Sequence, residues 1–144
     1  MSQELGPQLP GDLYRILADE PPETQRGRAI TLLTVDPAGY AHPALLSYRE
    51  VGARDAQTLR LVVYAGSNTT GNLRANGHAT LAFVDERFVY YVKGTATEIP
   101  AHRAGADAHF ATFDIGVQSV LADAPRADEA GAHLVSGITF RGLN

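Results

Sequence analysis

The stretch YAGSNTTGNLRANG, residues 64–77, holds the polar side chains best suited to binding a ligand. The cluster lies between an apolar run and a helix-like run, and it contains Ser67, Asn68, Thr69, Thr70 and Asn72. A helix that begins here directs several unbonded backbone N–H groups beyond the strand end, where they attract anions. The same residue types also cap helices, which contributes about 1 kcal/mol. Both interpretations stay open on the residues alone, and caps are the commoner feature.

The turn resembles only the first half of a phosphate-binding loop. Gly66 and Gly71 have the required spacing, but Asn72 and Leu73 stand where a lysine and a hydroxyl residue would reach phosphates and magnesium. The chain has no cysteine, and no serine lies in a Gly-x-Ser-x-Gly pattern, so no nucleophile is indicated. The sequence therefore assigns no catalytic residue.

The histidines and carboxylates do not suggest a metal centre. The five histidines are dispersed, and none of them forms an i, i+4 pair: His42, His78, His102, His109 and His133. Asp85 and Glu86 are adjacent in a predicted turn, where we expect both to be hydrated. We predict no metal site.

Composition narrows the class of protein. The 144 residues suit one domain, with 44% hydrophobic and 19% charged residues. The net charge of −4 argues against a nucleic-acid partner, because such binding depends on basic side chains. The residues before position 11 show no secretory pattern, and no apolar run is long enough to cross a membrane. With no cysteine present, we expect a cytoplasmic protein that does not contact membranes.

The first half of the chain predicts a helix, a hairpin and a third strand that leads to the polar turn. A short amphipathic helix is expected from Asp12, ending before Pro21. The segment RAITLLTVDPAGYAHPALLSY reads as a β-hairpin with its turn at residues 36–39. The next strand covers Thr58 to Ala65, and Gly77 stops the helix that follows the turn.

The second half predicts two more strands, HATLAFVD and RFVYYVKGTATEI, with a bulge or bend at Gly94. AHRAGADAHFATF is expected to be a helix with Phe110 and Phe113 on one side, and LVSGITFRG a last strand. The segment VQSVLADAPRADEAGAH is ambiguous between strand and short helix. About six antiparallel strands with a few short helices give a mainly β fold, a closed or nearly closed barrel.

The order of these pieces resembles the FMN-binding split barrel family typified by pyridoxamine 5'-phosphate oxidase. The resemblance is carried by the hairpin ITLLTVDPAGYAHPALLSY, the strand LRLVVYA, the pattern S-x-x-x-x-N-L-R-A-N-G, the strand ATLAFVD and the V-x-G-x-A pattern within VYYVKGTATE. It covers residues 28–98, and GITFRG resembles the family's last strand. Residues 1–144 are then one split-barrel domain. Its parts are an N-terminal helix and connector (1–26), the barrel core (27–98), and a C-terminal helix and closing strand (99–144).

The resemblance implies a homodimer with flavin mononucleotide (FMN) at the subunit interface. The expected site has three parts. The second strand contributes Leu45, Leu46 and Ser47 beside the flavin ring, with Arg49 at its end. The third strand contributes Val62 and Val63. The turn that meets the ribityl chain and phosphate contributes Ser67, Asn68, Thr69, Thr70 and Asn72. Because a flavin performs the electron transfer, an oxidoreductase of this kind needs no catalytic constellation of its own.

Two departures from the family pattern concern the phosphate. Familiar members read Ser-Arg-Lys where this chain reads Ser67-Asn68-Thr69, and an arginine of the second strand is replaced by Ala44. Charge-assisted hydrogen bonds contribute about 1.5 to 3 kcal/mol each, so losing two weakens binding by roughly 3 to 6 kcal/mol. Arg49 and Arg74 are the candidates to supply charge.

Alternatives to an FMN-dependent oxidoreductase are a binding or regulatory module with weak or no flavin binding, and a related barrel that uses deazaflavin or haem. The C-terminal residues do not match the segment that contacts pyridoxal phosphate in the true oxidases, so the sequence does not favour a vitamin B6 substrate. The substrate and the electron acceptor are not specified by the sequence.

Overall fold

The structure, a computed structural model, describes residues 2–104, 107–129 and 131–142. Eight strands form one sheet: β1 (Ser2–Gly6), β2 (Ala29–Val35), β3 (Ala41–Ser47), β4 (Val51–Asp55), β5 (Thr58–Tyr64), β6 (His78–Val84), β7 (Val89–Ile99) and β8 (Phe110–Asp123). The helices are α1 (Gly11–Ala18), α2 (Glu23–Arg26), α3 (Asn68–Asn76) and α4 (Ala101–Ala104), and a 3-10 turn covers Ala127–Glu129. No helix among the described residues is long and apolar enough to span a bilayer.

The sheet is antiparallel and curls into a split barrel. Its strand order is β3-β2-β6-β7-β8-β5-β4, and β1 pairs with the second half of β8. Strands β3 and β4 lie at opposite ends of this order although only three residues, 48–50, separate them in sequence. That short turn requires the two ends of the sheet to come together. The mainly β split-barrel prediction is confirmed, with β1 and β4 as strands that the sequence did not reveal.

Side chains that point alternately inward and outward along the strands form the core. In β2, β5 and β6 every second side chain is buried, as their pleat requires. The inward side chains form one cluster whose largest fully buried members include Phe83, Phe113, Leu59 and Leu61. Helix α1 adds Leu13 and Leu17 to this cluster. The predicted amphipathic helix is therefore confirmed, although it begins one residue before Asp12, and no side chain caps it.

The helix predicted from AHRAGADAHFATF is wrong beyond its first turn. Helix α4 ends at Ala104, residues 105 and 106 lie outside the described residues, and β8 begins at Phe110. Phe113 is buried while Phe110 remains 36% exposed, so the two rings are not on one side. Pairing with β5 on one edge and β7 on the other outweighs the helical propensity of the alanines. The ambiguous segment that follows continues as β8 to Asp123.

The predicted closing strand is also wrong. The C-terminal segment makes a single bridge, between Thr139 and Arg28, with flanking backbone bonds from Ala29 N to Ile138 O and from Phe140 N to Gly27 O. It lies across the start of β2 as a strap rather than joining the sheet as a strand.

The bulge or bend predicted at Gly94 is confirmed by the pairing of β7 with β8. The register between β7 and β8 shifts between Lys93 and Gly94, so that Gly94 faces Val117 and Lys93 faces Ser119. A Cβ atom at position 94 would overlap the carbonyl oxygen of Gly116. Glycine is therefore required where the two strands bend together.

Candidate functional site

The polar turn begins helix α3 with a side-chain cap. Ser67 Oγ accepts a hydrogen bond from the Thr70 backbone N–H at 3.1 Å and donates one to the Tyr64 carbonyl at 2.9 Å. Thr70 Oγ1 donates to the same carbonyl at 2.6 Å. The turn is thus fastened to the last residue of β5. The cap interpretation is confirmed, and the stop at Gly77 is confirmed by its φ of 73°.

The cap leaves two backbone donors available. Thr70 N–H is bonded to Ser67 Oγ and Gly71 N–H to the Ser67 carbonyl, whereas no acceptor among the described residues meets the N–H groups of Asn68 and Thr69. The first turn carries no acidic side chain that would repel an anion. A helix N-terminus with free N–H groups attracts negative charge. The same turn therefore caps the helix and leaves two backbone N–H groups that could donate to an anion.

The five polar side chains of the turn have different surroundings. Asn68 is exposed and Ser67 half-buried, whereas Thr69, Thr70 and Asn72 are buried. Asn72 Nδ2 donates to Thr34 Oγ1 at 3.0 Å, a bond that attaches α3 to β2. The amide of Asn72 is thus part of the packing beneath the helix. Ser67 and Asn68 are the side chains that remain at the surface of the turn.

A second group of predicted residues meets at the turn between β3 and β4, residues 48–50. Glu50 Oε1 accepts bonds from the Ser47 backbone N–H at 2.9 Å and from Ser47 Oγ at 3.1 Å. The Glu50 carbonyl in turn accepts from Val62 N–H at 2.9 Å. Ser47, Arg49 and Val62 are therefore neighbours. The exposed Arg49 guanidinium has no carboxylate partner within the described ranges.

The remaining predicted residues alternate between core and surface. Leu46 and Val63 are both 5% exposed and belong to the core cluster, so only their backbone atoms could face a ligand. Leu45 is 51% exposed on the outer face of β3.

Arg74 is already engaged by a carboxylate. Its Nε and Nη2 donate to the two oxygens of Glu98, both at 2.8 Å, in a bidentate pair on the protein surface. The hydrogen bond from Arg74 holds the pKa of Glu98 below its ordinary value. Of the two arginines considered from the sequence, Arg49 is the one without such a partner among the described residues.

At the opposite end of β2 and β6 lies a buried polar network that the sequence did not indicate. Asp85, expected in water, is only 3% exposed, so that expectation is wrong. Gln25 Nε2 donates to Asp85 Oδ2 at 2.8 Å and to the Tyr48 hydroxyl at 3.0 Å. Arg87 donates through its backbone N–H to Asp85 Oδ1 at 3.2 Å and through Nη2 to Gln25 Oε1. Beside them Arg28 pairs with Glu86 at 2.8 Å.

Burial and hydrogen bonding oppose each other at the titratable groups of this network. Burial alone would raise the pKa of Asp85, but hydrogen bonds from Gln25 and from the Arg87 backbone outweigh it and hold that pKa below its ordinary value. Burial raises the pKa of the Tyr48 hydroxyl to about 12. Asp85 is therefore ionised and Tyr48 neutral at physiological pH.

A cleft of about 600 Å³ borders this network, and none of the predicted site residues lines it. Its walls are the β6–β7 turn (84–89), the end of β8 and the tail around His133. Polar groups in the walls bond to one another, as Tyr91 OH does to Asp123 Oδ2 at 2.9 Å. Within the part of the chain that the structure describes, no group of three or more histidine or carboxylate side chains could hold a metal ion.

Solved structures share the fold at low sequence identity. A candidate pyridoxamine 5'-phosphate oxidase from Lactobacillus delbrueckii superposes with a TM-score of 0.65 and 12% identity, over 82% of this chain and 98% of that one. HutZ, the heme storage protein from Vibrio cholerae, gives 0.55 and 11%, over 79% and 93%. An F420 reductase gives 0.54 and 15%, over 67% and 90%. No curated protein matches the sequence.

The family comparison extends over most of the chain. The sequence profile described as pyridoxamine 5'-phosphate oxidase matches residues 22–133, which include α2, all strands from β2 to β8 and the polar turn before α3. The match is longer than half of the chain, and the strand order agrees with the split barrel. The chain therefore belongs to the pyridoxamine 5'-phosphate oxidase family.

Proposed function

We propose that this protein binds FMN and acts as a flavin-dependent oxidoreductase on a small molecule. The observation that carries the proposal is the start of α3, where no described residue accepts a bond from the N–H groups of Asn68 and Thr69 beside the Ser67 cap. Such groups suit a phosphate, and they follow β5 directly in a chain that belongs to this family. When bound, the flavin would supply electron transfer, and the protein would bind and orient it.

The hydrogen-bond donors at the start of α3 fit a phosphate, although they carry little positive charge. Two backbone N–H groups and the helix dipole attract the anion, and Arg49 is the nearby cation without a partner in the described ranges. Ser47 and Val62, which flank the β3–β4 turn, would lie beside the ring and the ribityl chain. With neutral Asn68 and Thr69 in the turn, we expect measurable but modest affinity.

The proposed active form is a homodimer with the cofactor at the interface. Support comes from the outer face of β3, β2 and β6, which is apolar and exposed in the single chain. Leu45 is 51% exposed, Val84 40% and Ile138 62%. A shallow cleft of about 320 Å³ on this face is lined by Ala29, Thr31, Ala82, Val84 and residues 136–138. Apolar surface of this kind commonly marks a subunit interface.

Titration of the purified protein with FMN tests the proposal. Bound flavin should lose fluorescence and show the visible absorption band of oxidised flavin in the protein fraction. Light scattering on a sizing column should give twice the mass of one chain. The matched variant is Ser67→Asp, which keeps an acceptor for the Thr70 N–H but adds negative charge beside the expected phosphate position. If FMN fluorescence is unchanged at every protein concentration, the cofactor assignment is wrong.

A second candidate is a barrel that uses another cofactor, or that binds flavin too weakly to use it. It is favoured by the neutral residues at positions 68 and 69 and by the fold shared with an F420 reductase and with HutZ. Competition between FMN, a deazaflavin and haem in the same titration separates these possibilities. A melting temperature that moves with none of the three would favour a binding or regulatory module without such a cofactor.

A further inference from the structure

We infer that Asp85 is a positioning residue that holds the β3–β4 turn in place through Gln25 and Tyr48. The turn carries Arg49 and contacts Val62, so its position matters to the cofactor site, and that part of the inference rests on the proposed function. Asp85 lies in the turn between β6 and β7, at the other end of a three-residue hydrogen-bonded chain.

Tyr48 is the anchor of the turn. It is 5% exposed, whereas Arg49 beside it is exposed and Glu50 half-buried. Its ring packs against Phe83 with centroids 6.2 Å apart, and its hydroxyl accepts the bond from Gln25 Nε2 at 3.0 Å. Movement of Tyr48 would therefore displace the backbone of Ser47 and Arg49, the residues bonded to it covalently.

The ionised carboxylate fixes the orientation of the Gln25 amide. Gln25 Nε2 donates to both Tyr48 and Asp85, while Oε1 accepts from Arg87. A carboxylate only accepts hydrogen bonds, so it requires the amide nitrogen to face it, and the same nitrogen then reaches Tyr48. An asparagine at position 85 can donate as well as accept, and it removes this requirement. The position of the turn thus depends on the charge of Asp85 and not on its size.

A purely structural network would behave differently. If the network only contributed stability, its loss would loosen all parts of the barrel in proportion. If it positions the turn, its loss should release the β3–β4 turn before the α3 end responds. The amides of Ser47 and Val62 report the first region, because both bond to Glu50. The amide of Thr70, bonded to Ser67, reports the second.

Hydrogen exchange of these amides in flavin-free protein is the direct test. We expect Asp85→Asn to speed exchange at Ser47 and Val62 at least tenfold while Thr70 keeps the wild-type rate. Glu98→Gln, which removes a surface charge that is bonded to Arg74 outside the network, is the matched control and should leave all three rates unchanged. Equal acceleration at all three amides, or none at Ser47 and Val62, would overturn the inference. Should Asp85→Asn fail to fold, Tyr48→Phe removes the same connection and keeps the ring.

Moving the carboxylate from position 85 to position 25 should restore the connection to Tyr48. In the double variant Gln25→Glu with Asp85→Asn, the carboxylate stands at position 25 and the amide at position 85. The relocated carboxylate can accept from the Tyr48 hydroxyl, from the new amide and from Arg87, so the connection is restored. The double variant should recover slow exchange at Ser47 and Val62, and failure to do so counts against the inference.

FMN titration of the same proteins separates the two proposals. Weaker binding by about tenfold in Asp85→Asn, recovered in the double variant, supports both. Normal binding in Asp85→Asn despite faster exchange would overturn the link to the cofactor. No binding by the unaltered protein would overturn the proposed function, and the exchange rates alone would then decide whether Asp85 positions the turn.

Discussion

The two ends of strands β2 and β6 use polar groups in opposite ways. At the α3 end, the hydroxyls of Ser67 and Thr70 bond to atoms three to six residues away, and two backbone donors meet no acceptor among the described residues. At the α2 end, the buried amide of Gln25 bonds to the Tyr48 hydroxyl, the Asp85 carboxylate and the Arg87 guanidinium, across 23 to 62 residues.

This difference indicates where a ligand can bind to a barrel of this kind. A group whose hydrogen bonds are complete in the folded chain has little to offer a ligand, however polar it is. The charged cluster at the α2 end therefore serves to hold the structure, including the β3–β4 turn, whereas the α3 end has two backbone donors that no described residue meets. The most charged cluster is thus not itself the group of atoms best suited to bind a ligand.

Removal of the buried carboxylate should give the largest effect. Asp85→Leu leaves the Gln25 amide and the Arg87 backbone N–H without their acceptor, and we expect unfolding to become easier by about 3 kcal/mol. Urea denaturation measures the change. The control is Glu98→Gln, whose pair with Arg74 is exposed and should contribute less than about 1 kcal/mol. If the two variants lose equal free energy of unfolding, the buried carboxylate contributes no more to stability than an exposed ion pair does.

Raising the pH above 10 should lower the free energy of unfolding through ionisation of Tyr48 at the α2 end. The Tyr48 pKa is raised from 10.0 to about 12 in the folded protein, so its contribution is present below pH 10 and is lost as the pH rises toward 12. One pKa unit corresponds to about 1.4 kcal/mol, which gives a loss of about 2 to 3 kcal/mol over this range. Because Tyr90 titrates similarly, the measurement is the difference in slope between the wild type and Tyr48→Phe. Identical slopes would show that Tyr48 is not shielded from water.

A positive charge added at the start of α3 should raise the affinity for FMN. Asn68→Arg places a guanidinium at the exposed start of α3, and a charge-assisted bond of about 1.5 to 3 kcal/mol would tighten FMN binding roughly ten- to a hundred-fold. Stability should fall slightly, since a cation at a helix N-terminus is unfavourable. Fluorescence titration measures the affinity, with Asn68→Gln as the neutral control. An affinity that is the same in both variants would place the phosphate elsewhere.

Loss of the cap should have a smaller effect on stability. Ser67→Ala removes the acceptor of the Thr70 N–H, and we expect a loss of about 1 kcal/mol in urea. Ser67→Asp retains an acceptor and should regain most of that stability while binding FMN less well. Parallel loss of stability and binding in both variants would mean that the cap alone explains the turn.

The smallest effect is expected at the surface pair of α3. Arg74→Gln breaks a bidentate but exposed bond to Glu98, and such pairs contribute about 0 to 1 kcal/mol. FMN affinity should not change, because the guanidinium is held by Glu98. A clear loss of affinity would assign Arg74 to the phosphate in place of Arg49.

The sequence revealed features whose partners are close along the chain. A capped helix start within the polar turn and a stop at Gly77 were predicted because capping bonds span only three or four residues. The β2–β3 hairpin was predicted for the same reason, since its turn residues and alternating strands are contiguous. Local chemistry was therefore enough for the turn that carries the proposed site.

Features that depend on distant partners were missed. Asp85 looked like a hydrated turn residue because nothing nearby in sequence shows that Gln25 reaches it from 60 residues away. Strand β1 is polar and short, and it exists because β8 offers it an edge. The alanine-rich approach to Phe110 favoured a helix until neighbouring strands imposed an extended backbone. In each case tertiary pairing outweighed local preference.

Strand β8 sets the order in which this protein can fold. It is the last strand of the sheet in the chain, and it pairs with β5, β7 and the first strand, β1. During synthesis, the edges of β5 and β7 must wait for residues 110–123 before they are covered. Pairings this distant in sequence slow folding, because a long loop must close before they form. The nascent chain therefore has a period in which the backbone N–H and C=O groups along two strand edges are unpaired, and pairing with another chain is easiest before β8 is complete.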